Sequence, residues 1–74
     1  MSIQEATNKA NYVEWLNEFT FAVWHGGHTV NFYSFDPETG NTEPFDSISV
    51  GSFENSSATL EEVKEGIDSY EIYE

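Results

Sequence analysis

The sequence predicts a small α+β fold: an N-terminal helix, a three-stranded antiparallel meander and a C-terminal helix in a single domain spanning residues 1–74. Three observations predict it. Apolar residues recur every three or four positions at both ends of the chain, they alternate every second position in the middle, and turn residues fall between these stretches. The chain is short, so folding removes only about 60% of the unfolded surface from water and the core is small. Six Phe, four Tyr and two Trp supply the apolar area that such a core needs.

Ile3, Ala6, Ala10, Val13 and Leu16 form the first stripe, flanked by Tyr12 and Phe19. That spacing predicts an amphipathic helix ending near Glu18. Two starts compete for it, Ser2 with Glu5 and Asn11 with Glu14, each a potential capping box. From Phe19 the period becomes two. Phe19, Phe21 and Val23 share a face, Gly26-Gly27 makes a two-residue turn, and Val30 and Phe32 return opposite Val23 and Phe21. The other face then carries Ala22, Trp24, Tyr33 and Phe35, so both faces of the hairpin are aromatic.

Asp36-Pro37-Glu38-Thr39-Gly40-Asn41 has Pro to begin a turn and Gly to supply positive φ, and it leads to a strand over 42–50. Pro44 lacks a donor and marks that strand as a sheet edge. A register with Ile48 and Val50 inward is preferred over one with Phe45 inward. Phe53 is expected to anchor the following loop. Thr59 and Glu62 form a capping box ahead of Leu60, Val63, Ile67 and Tyr70, which predicts the second helix. Gly66 is expected to weaken that helix by up to about 1 kcal/mol, leaving its last turns and residues 70–74 loose or waiting for a partner.

Charge is the strongest functional signal. Fourteen Asp and Glu against two Lys and no Arg give a formal net charge of −12, and eleven of the acids lie in residues 36–74. Self-repulsion at this density opposes compaction, while it attracts basic surfaces and favours solubility. A halophilic surface is the bland explanation, but six Asn and several Ile do not resemble that composition.

The pattern excludes several classes of function. Aromatic groups on a sheet suggest base stacking, yet single-strand binders rely on Lys and Arg for phosphate contacts, so direct nucleic-acid binding is not expected. His25 and His28 flank the glycine turn and could supply two metal ligands, but no third is specified, so no metal and no cofactor are expected. The Asp36 loop lacks the ligand alternation of a calcium site. No nucleophile triad, phosphate loop or pair of carboxylates in an apolar pocket is evident, so an enzyme is not expected. With no Cys there are no disulfides. No membrane span and no signal peptide are visible, and a cytoplasmic protein is expected.

On the second helix Glu61, Glu65 and Asp68 fall at i, i+4 and i+7, with Glu62 beside them, opposite the apolar stripe. At 1.5 Å rise per residue these charges stand about 4.5 to 6 Å apart along the axis, against about 3.4 Å for the phosphates of one DNA strand. Asp36, Glu38, Glu43 and Asp46 add acids on the neighbouring turn and edge strand. Trp24, Tyr33 or Phe35 would supply an apolar anchor or a homodimer interface.

In size, charge and aromatic content the chain resembles the small acidic DNA-mimic proteins that bacteriophages make against host restriction, CRISPR or DNA-repair enzymes. The resemblance implies a non-enzymatic inhibitor that occupies the nucleic-acid-binding groove of a basic host protein, in the host bacterial cytoplasm. A narrower similarity is to the uracil-DNA glycosylase inhibitors, which carry Glu-Ser-Ile on an edge strand near an acidic helix. Here Asp46-Ser47-Ile48 stands on the expected edge strand, with Leu60-Glu61-Glu62-Val63 following, and Asp replaces Glu. The competing expectation is a protein-interaction module that binds through its aromatic face or its edge strand, with acidity serving solubility or halophilic adaptation.

Overall fold

The computed structural model describes residues 1–70. Six elements follow in order: α1 (Ile3–Ala6), β1 (Tyr12–Asn17), β2 (Thr20–Trp24), β3 (Thr29–Phe35), β4 (Thr42–Ser49) and α2 (Leu60–Ser69). The fold is α+β, but its sheet has four strands in the order β1-β2-β3-β4, not three. The expected N-terminal helix is cut to one turn and its second half is a strand.

The residues of β1 explain that correction. Tyr12 and Leu16 fit a helical period, but Tyr12, Glu14 and Leu16 against Val13 and Trp15 fit a strand period equally well. Aromatic and β-branched side chains favour the pleated surface. The unpaired edge of β2 decides the matter, because pairing Val13 with Val23 and Trp15 with Phe21 fills a ladder that a helix would leave open. Local signals agree with the strand. Lys9 adopts a left-handed φ of 59°, which stops α1 from continuing, and the Asn17 side chain accepts the Phe19 N–H at 2.8 Å, closing the turn into β2. Asn11 starts no helix; its N–H bonds the Trp24 carbonyl.

The β2–β3 register is also shifted by one residue from the expected one. Trp24 lies opposite Val30, Ala22 opposite Phe32 and Phe21 opposite Tyr33. The turn is wider than Gly26-Gly27: the β2–β3 pairing ends at Trp24 and Val30, and the His28 carbonyl accepts the Val50 N–H at 2.8 Å, in line with the β3–β4 pairing. A one-residue slip exchanges the faces. Ala22, Trp24, Val30 and Phe32 therefore share one face, and Phe21, Val23 and Tyr33 share the other.

Helix α2 covers the first face with Val63 and Ile67 fully buried, joined by Val50 and Ala58. Its capping box is complete: Glu62 N–H donates to Thr59 Oγ1 at 3.2 Å and Thr59 N–H donates to Glu62 Oε1 at 2.9 Å. Gly66 is the close-approach point of α2 on β4, since a Cβ there would stand 2.5 Å from Val50 Cγ1. The residue that the sequence marks as a weakness is where helix and strand meet. As expected, β4 is an edge strand, and Val50 is buried with Ile48 packed beside it, while Phe45 sits 50% exposed at a bulge. Phe53 is not an anchor; it is 75% exposed.

The opposite face is crossed by the N-terminal segment. Met1 and Thr42 exchange backbone hydrogen bonds, the ammonium of Met1 donating at 2.9 Å and Thr42 N–H donating at 2.6 Å, beside a bridge between Ser2 and Asn41. From there α1 lays Ala6 on Phe21, Val23 and Tyr33, and the chain reaches β1 at the far edge. Ser2 caps α1 on one side only, accepting the Glu5 N–H at 3.1 Å. Residues 71–74, most of the expected loose tail, lie outside the described residues.

Candidate functional site

The acidic residues gather along one side of the molecule because three elements bring them there. Glu61, Glu65 and Asp68 stand exposed on the outer surface of α2, away from buried Val63 and Ile67. The pairing of Ser34 with Glu43 and of Phe32 with Asp46 turns both β4 acids toward the face that α2 occupies. Asp36 and Glu38 belong to the β3–β4 turn, where Asp36 Oδ1 accepts the Glu38 N–H at 2.9 Å and the Asp36 carbonyl accepts the Gly40 N–H at 2.7 Å. Glu62 differs from its neighbours. It is half-buried and its carboxylate is engaged in the capping box, so its charge is tied to the start of α2.

Tyr70 fixes the end of the helix on the strand. Its ring stacks on Phe32 with centroids 3.8 Å apart, and its hydroxyl donates to Asp46 Oδ2 at 2.6 Å, the short distance of a charge-assisted bond. That bond holds the Asp46 carboxyl below its ordinary value, helped by the Ser47 N–H, and pushes the Tyr70 phenol up to about 12. A parallel pair lies at the β1 edge, where Tyr12 donates to Glu14 at 2.6 Å. The hydrogen bond to Glu14, then burial, then the charges of Glu14 and Asp68 push the Tyr12 phenol up to about 12. Lys64 Nζ sits 5.6 Å from the centre of the same ring. Asp68 and Lys64 thus lean toward β1, while Glu62 and Glu65 line the β4 side.

Between β4 and α2 runs an open groove of two adjoining depressions, about 500 and about 250 Å³, that share Ser49, Gly66 and Ser69. Ile48 and Tyr70 line the first, and Val50, Glu62 and Glu65 line the second. A third depression of about 270 Å³ lies at the β3–β4 turn among Ser34, Asp36, Thr39, Asn41 and Glu43. The first sets Ile48 and Tyr70 beside serines, and the other two carry carboxylates with small polar groups. Among the described residues no three His, Asp or Glu side chains converge to hold a metal ion.

The aromatic residues divide differently from the sequence-based expectation. Trp24 and Tyr33 are each only 8% exposed; both belong to the core, and Trp24 Nε1 donates to the Gly27 carbonyl at 3.2 Å. Phe35 is half-buried against Trp15, with centroids 5.7 Å apart in an edge-to-face contact. Trp15 is the large aromatic that sequence reasoning missed, 45% exposed beside Phe35, and placing it required knowing that β1 is a strand. Phe21 stacks on Tyr33 at 5.3 Å, and Trp15 meets Phe21 at 4.7 Å with the rings tilted by 37°.

Family models, curated proteins and solved structures yield no match to this chain. Among the described residues no helix is long and apolar enough to cross a membrane.

Proposed function

We propose that the chain is a non-enzymatic acidic protein that occupies the nucleic-acid-binding surface of a basic partner protein, in the cytoplasm, by presenting carboxylates where phosphates would lie. The observation that carries this reading is the placement of exposed acids on one side of the molecule. Glu61, Glu65 and Asp68 project from the outer surface of α2, Asp46 and Glu43 of β4 turn toward the same face, and Asp36 and Glu38 stand in the β3–β4 turn. A net charge of −12 leaves Lys64 as the one cation among the acids of α2, β4 and the β3–β4 turn. Such a field speeds encounter with a basic groove and sets orientation, while affinity comes from a few buried contacts. Asp46 is held in place by Tyr70, and α2 approaches closely at Gly66, so the charges of α2 and β4 stand on ordered elements.

The test is affinity capture of partners from a bacterial lysate, challenged with duplex DNA and then with a salt step. Displacement of a nucleic-acid enzyme by both is expected, since many charge pairs weaken steeply with ionic strength. Reversal of Glu61, Glu65 and Asp68 to Lys is expected to abolish capture while leaving the melting temperature near that of wild type. Glu62 stays unchanged in that variant because its replacement would remove the helix cap. Capture indifferent to salt, DNA and charge reversal would instead favour the second reading, a protein-interaction module whose partner packs on Trp15 and Phe35.

A further inference from the structure

His25 and His28 flank the same turn, but the fold treats them differently. His25 is exposed at the end of β2. The ring of His28 is held at both nitrogens: Nδ1 lies 2.9 Å from the Val50 carbonyl oxygen and Nε2 lies 2.8 Å from the Asn55 carbonyl oxygen. The Phe53 ring covers it, with centroids 4.8 Å apart. A carbonyl oxygen can only accept, and a neutral imidazole carries hydrogen on one nitrogen alone. The imidazolium form satisfies both carbonyls, whereas in the neutral ring one nitrogen turns a lone pair toward an oxygen.

We propose that His28 is a proton-operated clasp that ties the 51–57 loop to the β2–β3 turn when protonated and releases the Asn55 side of that loop when neutral. Asn55 is the contact that opens because Val50 is secured independently: its N–H donates to the His28 carbonyl at 2.8 Å, beside the end of the β3–β4 ladder. The remaining N–H therefore stays on Val50. Release is also local. Gly27 N–H donates to Ser57 Oγ at 3.0 Å and Ala58 N–H donates to the Gly27 carbonyl at 2.9 Å, so the chain is pinned again before Thr59 caps α2.

The groups around the ring favour the charged form. The Val50 carbonyl and then the Asn55 carbonyl raise its proton affinity above the ordinary value of 6.5, burial opposes them, and the Glu62 carboxylate of α2 adds a further upward push. Glu54, the carboxylate of the loop itself, is exposed, with its N–H on Ser52 Oγ. A raised value in the folded state means that the clasp's contribution to stability is fully present below the unfolded value and is lost as pH rises through the folded one.

The experiment is an NMR titration of the whole chain from about pH 5 to about pH 9. His28 is expected to titrate above the ordinary value of 6.5, and 15N relaxation is expected to show the backbone of residues 52–56 gaining motion through the His28 midpoint while Val63 and Ile67 stay unchanged. His28→Gln removes that step and His25→Gln retains it. The clasp is overturned if His28 titrates at or below 6.5, or if residues 52–56 keep constant order across its midpoint. The wild-type comparison decides this even if His28→Gln fails to fold.

Discussion

On one face of the sheet a ten-residue helix with a complete capping box closes over Val30 and Phe32; on the other a four-residue helix with a one-sided cap closes over Phe21 and Val23 and leaves Trp15 45% exposed. The long helix buries Val63 and Ile67 while Leu60 at its start stays 42% exposed, and its outer surface carries Glu61, Glu65 and Asp68 with Lys64 among them. The short helix offers little more than Ala6, and the aromatic rings beneath it cover one another instead. Two small residues set these distances. Ala6 lets the N-terminal segment lie close on Phe21, and Gly66 lets α2 lie close on Val50. The helix-covered face is therefore the sealed one, and the strapped face has surface to spare for contacts.

Phe32→Ala breaks the comparison most directly. Phe32 is fully buried under Tyr70 and α2, so a loss of about 3–5 kcal/mol is expected, against about 1–2 kcal/mol for Trp15→Ala on the strapped face. Urea denaturation of both variants checks the difference, and equal losses would mean that the two faces are equally sealed. Gly66→Ala comes next. Overpacking against Val50 is expected to cost about 1–3 kcal/mol, outweighing the gain of up to about 1 kcal/mol in helix propensity. A variant more stable than wild type would show that α2 stands off β4 in solution.

Tyr70→Phe has the smallest effect and sharpens the account of how α2 is fixed. Asp46 is held below its ordinary value of 3.8, so its bond to Tyr70 supports the fold above that pH, and the support is lost as pH falls through the lower folded value. Tyr70 itself, raised from 10.0 to about 12, adds stability that is present below 10.0 and lost as pH rises through about 12. The variant is expected to return the Asp46 midpoint upward in a carboxyl NMR titration and to flatten the alkaline limb of the melting temperature. An unmoved Asp46 midpoint would show that the bond does not persist in water.

The elements that proved legible were those with local chemistry. The Thr59–Glu62 capping box, the Val63–Ile67 stripe, the Asp36–Asn41 turn and the edge position of the Pro44 strand each depend on residues close in the chain, and each is present. What was misread depended on distant partners. Tyr12 to Asn17 carries both periods, and only the open edge of β2 selects the strand. The glycine turn suggests a two-residue loop, whereas His28 bonds Val50, twenty-two residues away, beside the β3–β4 pairing.

The candidate site divides in the same way. The chain by itself determined the excess of carboxylates, the acidic outer surface of α2 and the helix that carries it, because charge and helical period are properties of neighbouring residues. Tertiary structure decided that Glu62 serves the cap, that Asp46 is gripped by Tyr70, that Trp24 and Tyr33 lie in the core and that Trp15 reaches the surface. Those outcomes depend on strand register and on the meeting of helix and sheet, where a shift of one residue exchanges inside for outside.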